Sequence, residues 1–132
     1  MDLALKLSLM AKGLTWPNPL VGAVIVKNNK VISTGFHKRT GLDHAETVAL
    51  KKAGGRAEGS TLYVTLEPCC SFGRTPPCTE AIIKSGIKKV VVGIRDPNPD
   101  HNGKGIKILK SHNIKVISGI LEKRIREINQ PF

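Results

Sequence analysis

VGAVIVKNNKVISTGFH, residues 21–37, holds two β-rich runs, VGAVIVK (21–27) and VISTGFH (31–37), on either side of Asn28-Asn29. Asparagine tolerates the left-handed backbone of a tight turn, so the pair between two such runs predicts a hairpin. Beyond it the pattern alternates. DHAETVALKKAGG (43–55) opens on an N-cap candidate, Asp43, closes on glycine, and predicts a helix. STLYVTL (60–66) predicts a third strand and CTEAIIKSG (78–86) a short helix. KKVVVGI (88–94) is a fourth strand, so apolar that it belongs in the sheet's centre. GKGIKILKSHN (103–113) predicts a helix, IKVISGI (114–120) a fifth strand and LEKRIREIN (121–129) a closing helix. Upstream, Leu3, Leu7, Met10 and Leu14 recur at helical spacing and predict an amphipathic first helix. TWPNP (15–19), with prolines that cannot sit inside a helix, is a rigid loop. A leading hairpin followed by strand–helix alternation predicts a three-layer α/β/α fold with a mixed five-stranded sheet.

A length of 132 residues suits a single domain over residues 1–132, with no second domain following. Hydrophobic residues at 40% and charged residues at 23% are ordinary for a soluble globular chain. No run is long enough to span a bilayer. Lys6 interrupts the first apolar stretch and no basic segment precedes it, so the start does not read as an export signal. The net charge of +11 comes mostly from lysines scattered along the chain, which is the pattern of a solvated surface. It also suits attraction of a phosphate-bearing ligand.

Every cysteine lies in LEPCCSFGRTPPC (66–78). Clustered thiols without an export signal point to a reducing compartment, the cytoplasm, and to a metal or catalytic role. HAE (44–46) stands upstream, and together with Pro68-Cys69 and Cys78 it gives H-x-E … P-C-x8-C. Zinc deaminases of nucleobases carry H-x-E … P-C-x-x-C, in which one His and two Cys bind Zn²⁺ and the Glu does not. Here His44, Cys69 and Cys78 are the candidate metal ligands, and three protein ligands leave a position open for catalysis. Glu46 is the candidate catalytic acid–base. Cys78 falls at a predicted helix start, where the backbone N–H groups favour a thiolate. Cys70 would close the site as a fourth ligand, so it is expected to turn away. Ligands in open α/β sheets gather beyond the carboxyl ends of the strands, where His44, Cys69 and Asp96 fall.

PNPLVGAVIV (17–26), HAE, TLEPC (65–69), GRTPPC (73–78), DPNP (96–99) and GKGI (103–106) closely resemble the deaminase domain of the bifunctional riboflavin-biosynthesis deaminase/reductase family. The resemblance covers almost the whole chain, and its most specific part is the long C-x8-C spacing with TPPC. It implies the cytidine-deaminase fold and hydrolytic removal of the 2-amino group of 2,5-diamino-6-(5-phosphoribosylamino)pyrimidin-4(3H)-one. It also implies substrate-binding roles for Asn18, His37, Arg74, Asp96 and Asn98, with Arg74 suited to the phosphate. Association into a homo-oligomer is implied as well. The G-x-G at 103–105 either starts a helix or lends its N–H groups to phosphate. Ser71 stands where the family usually has histidine, and no reductase domain follows.

Two other readings stay open at this point. One is a deaminase of cytosine or adenine in nucleosides or nucleic acid; the basic balance permits it, but the scarcity of aromatic residues disfavours it. The other is a non-catalytic zinc-stabilised binding module, which would have no need of Glu46.

Overall fold

The structure is a computed structural model that describes residues 1–12, 19–38, 42–70 and 76–129. Its helices are α1 (Asp2–Ser8), α2 (Ala45–Ala53), α3 (Cys78–Ser85), α4 (Lys104–Ser111) and α5 (Glu122–Ile128). Its strands are β1 (Gly22–Lys27), β2 (Lys30–Phe36), β3 (Thr61–Leu66), β4 (Lys89–Ile94) and β5 (Lys115–Ser118), in the sheet order β2-β1-β3-β4-β5. β1 is antiparallel to β2 and β3, whereas β3, β4 and β5 run parallel. The sheet is thus mixed and five-stranded, as expected. Asn28 and Asn29 both have positive φ, 51° and 62°, and Lys27 pairs with Lys30. That is the two-residue turn whose twist matches the strands it joins. β4 lies inside the sheet between two parallel neighbours, although the middle place belongs to β3.

The larger core joins Ala45, Ala49 and Ala53 of α2, Ile82 of α3 and Leu109 of α4 to strand residues such as Ile25, Leu62, Val64, Val90 and Val92. A second cluster holds Leu5 of α1 and Ile125 of α5 with Ile94. Helices therefore cover both faces of the sheet. α2 buries alanines because it lies close to β2. A Cβ on Gly35 would strike the Ala45 carbonyl, so backbone meets backbone there. This close approach sets the position of the α2 N-terminus and the residues it carries.

Two expectations need correction. α1 buries Ala4, Leu5 and Ser8, while Leu3 and Met10, on the expected inner face, are exposed. A single helical turn offers two candidate stripes when leucine occurs this often, and packing against β1 selects the one with the smaller residues. Leu14 lies outside the described residues. The N-cap of α2 is His44 rather than Asp43, whose carboxylate instead pairs with Lys51 at 2.7 Å. The remaining elements fall within a few residues of expectation, with three-ten turns at Leu9–Ala11 and Gly54–Ala57 extending α1 and α2.

Candidate metal centre and cleft

The carboxyl ends of the strands and the starts of two helices converge. His44 caps α2, Cys69 lies three residues past the end of β3, and Cys78 is the first residue of α3. His44 Nδ1 is 3.7 Å from Cys69 Sγ and 3.3 Å from Cys78 Sγ. All three candidate ligand atoms lie within 4.8 Å of one another. Cys69 is held by the start of α3: its Sγ accepts the Cys78 N–H at 3.2 Å, and its carbonyl accepts the Thr79 N–H at 3.1 Å. Tetrahedral zinc with N and S ligands would put neighbouring donors about 3.6 Å apart. The two sulfurs and the imidazole fit that ion in both spacing and chemistry. Cys70 is not in the trio. With His101 it lines a smaller adjoining depression of about 120 Å³, which shares Glu67, Cys69 and Asp96 with the main cleft.

Of the two sulfurs Cys69 is the acid. The hydrogen bond from the Cys78 thiol, together with His44 and the Cys78 N–H, overcomes burial and draws its pKa down. Cys78 is pushed up by that same hydrogen bond and by burial. The helix start was expected to favour a thiolate at Cys78, but the Cys78 N–H is directed at the Cys69 sulfur. Hydrogen bonding to Cys69 raises the His44 pKa against its own burial.

These groups open into a cleft of about 480 Å³, walled by Pro19, Val21, Leu66 and Pro97 and by the polar His37, His44, Glu46, Glu67, Cys69, Asp96 and Asn98. Glu46, in the first turn of α2, is only 4% exposed. Burial, and then the negative charge of Cys69, raise its carboxyl to about 7. A carboxyl so placed exchanges a proton readily near neutrality. His37 is buried, its Nδ1 3.1 Å from the Asp43 carbonyl oxygen, and its ring meets His44 edge-on at 5.3 Å. Burial lowers its pKa, and the nearby His44 adds to that effect. His37, Asp96 and Asn98 therefore share the cleft with the trio and Glu46, while Asn18, Arg74 and Ser71 lie outside the described residues. None of the described lining residues is a lysine or arginine. An apolar wall with a few convergent polar groups suits a flat heterocycle.

Sequence reasoning missed Glu67. Its carboxylate accepts N–H groups from Asp96 at 3.0 Å, Gly103 at 2.9 Å and Ile106 at 3.2 Å. The Glu in LEPC was visible, but its partners lie 29 to 39 residues further on, and no local pattern announces them. The same bonds explain G-x-G. Gly103 takes a left-handed φ of 77°, and a Cβ on Gly105 would strike the Pro68 carbonyl. The Gly103 and Ile106 N–H groups belong to Glu67, so this helix start caps a carboxylate rather than waiting for phosphate.

Fold and trio define a zinc-binding deaminase. The family model described as "Cytidine and deoxycytidylate deaminase zinc-binding region" matches residues 1–94. The chain is 55% identical over its full length to the riboflavin biosynthesis protein RibD of Aquifex aeolicus, of which it spans 37%. It is 49% identical to the diaminohydroxyphosphoribosylamino-pyrimidine deaminase of Buchnera aphidicola from Schizaphis graminum, with 100% of this chain and 90% of that one covered. Acinetobacter baumannii RibD superposes with a TM-score of 0.98 at 50% identity, over 99% of this chain and 37% of that one. The chain belongs to the diaminohydroxyphosphoribosylaminopyrimidine deaminase family of the cytidine-deaminase superfamily.

Proposed function

We propose that this chain catalyses hydrolytic deamination of 2,5-diamino-6-(5-phosphoribosylamino)pyrimidin-4(3H)-one to the 5-aminouracil ribotide, releasing ammonia. His44, Cys69 and Cys78 would hold Zn²⁺, which would supply Lewis-acid chemistry for activating the attacking water. Glu46 accepts the proton of the attacking water, delivers it to the ring nitrogen and then carries a proton to the departing amine. Pro19, Val21, Leu66 and Pro97 exclude water from the faces of the ring. His37, Asp96 and Asn98 orient its polar edge, with Asn18 as a further amide partner. Arg74, matched to the family's GRTPPC run, takes the phosphate through its guanidinium fork.

The observation that carries this reading is the position of Glu46. It is a buried carboxyl that stands outside the ligand trio yet faces the same cleft. A zinc-stabilised binding module would have no use for it. The similarity to named deaminases at about half identity over the full chain supports the substrate. The same reading includes a homo-oligomer and residence in the cytoplasm, where the three free thiols stay reduced. No described helix is long and apolar enough to cross a membrane. The test is ammonia release from the ribotide, with cytidine and single-stranded DNA as controls. Release from the ribotide alone supports the reading, and release from either control in its place overturns it.

A further inference from the structure

We infer that Glu67 is a positioning residue, a latch that ties the loop bearing Asp96 and Asn98 to the strand exit bearing Cys69, and so shapes the substrate end of the cleft. Within itself the loop is knotted by short-range bonds. Asp96 Oδ1 accepts the Asn98 N–H, Asn98 Oδ1 accepts the Asp100 N–H, and Asn102 Nδ2 donates to the Asp96 carbonyl. Such bonds fix the loop's own shape but not its place against the metal centre. Among the described residues, that place is set by Glu67. One of its oxygens binds the amides at the two ends of the loop, Asp96 and Gly103, and the other binds Ile106 in the first turn of α4. Its own backbone N–H donates to the Ile94 carbonyl, at the end of the strand from which the loop departs.

The cleft thus contains two buried glutamates with different work. Glu46 is raised by burial toward a proton-exchanging range. Glu67 is also 4% exposed, but both its oxygens are occupied as acceptors of backbone N–H groups, which suits an anchor for the loop. The inference rests on the preceding reading that Asp96 and Asn98 face the substrate.

Glu67→Gln keeps the size but replaces one accepting oxygen with an NH₂ donor. One of the three amides then meets a donor. Gly103→Ala leaves Glu67 intact and meets no neighbouring atom, but strains the left-handed backbone at one of the latch's amides. In both variants of the full chain, zinc content should stay near that of the wild type. Hydrogen exchange should quicken at Asp96, Gly103 and Ile106 but not at Cys78. KM for the ribotide should rise roughly tenfold while kcat changes less than about threefold. Gly103→Ala carries the test by itself if Glu67→Gln does not fold. Unchanged exchange at the three amides, or a lowered melting temperature with KM unmoved, would overturn the latch. Quickened exchange in a protein that never turns over the ribotide upholds the tether and removes the substrate assignment instead.

Discussion

His44 Nδ1 stands 3.3 Å from Cys78 Sγ across 34 residues of chain, each side chain at the first turn of a different helix. The sheet aims two helix starts at one point and so brings the donors together. Cys69→Ser and Cys78→Ser should each lose or greatly weaken zinc, because a neutral hydroxyl replaces a thiolate poorly. Cys70→Ser, which alters a side chain outside the trio, should keep one zinc per chain and substantial activity. Metal analysis of the three purified variants decides the assignment, and an empty Cys70→Ser would sink it.

Glu46→Gln should fold, bind zinc as the wild type does and lose turnover by about 10²–10⁴-fold, the usual contribution of acid–base assistance. The amide preserves the buried volume but cannot accept a proton. Joint loss of metal and activity would make Glu46 a structural residue.

Asn129 binds the far end of the chain to the cleft wall. Its Oδ1 accepts the Leu20 N–H at 2.6 Å, and its Nδ2 donates to the carbonyls of Leu20 and Ile125. Asn129→Ala leaves buried backbone groups unpaired and should lower stability by about 1–3 kcal/mol. A urea midpoint unchanged from the wild type would show that water or another side chain replaces the amide at no cost.

Light scattering at micromolar concentration should give a dimer or a higher state. A monomer at that concentration would remove self-association from the account.

The hairpin at Asn28-Asn29, the alternation that follows it and the H-x-E … P-C-x8-C constellation were legible because each rests on short-range chemistry or on fixed residue types. The inner face of α1 was not, since Leu3 and Met10 fit helical periodicity as well as Ala4 and Leu5 do, and only the partner surface decides. That the N–H at the start of α3 reaches the Cys69 sulfur is a matter of angles rather than of sequence. Glu67 shows the same limit at long range, because its three donors come from a segment that becomes its neighbour only through the parallel pairing of β3 and β4.

Hydrolytic removal of the ring amine from the diaminopyrimidine ribotide can be followed in water enriched in heavy oxygen, with product mass and ammonia measured together. One ammonia should appear per ribotide consumed, with one heavy oxygen on the pyrimidine as its new carbonyl, and both should form about 10²–10⁴-fold more slowly in Glu46→Gln. Ribotide left intact by zinc-loaded protein, or ammonia released without heavy oxygen on the pyrimidine, would contradict hydrolytic deamination.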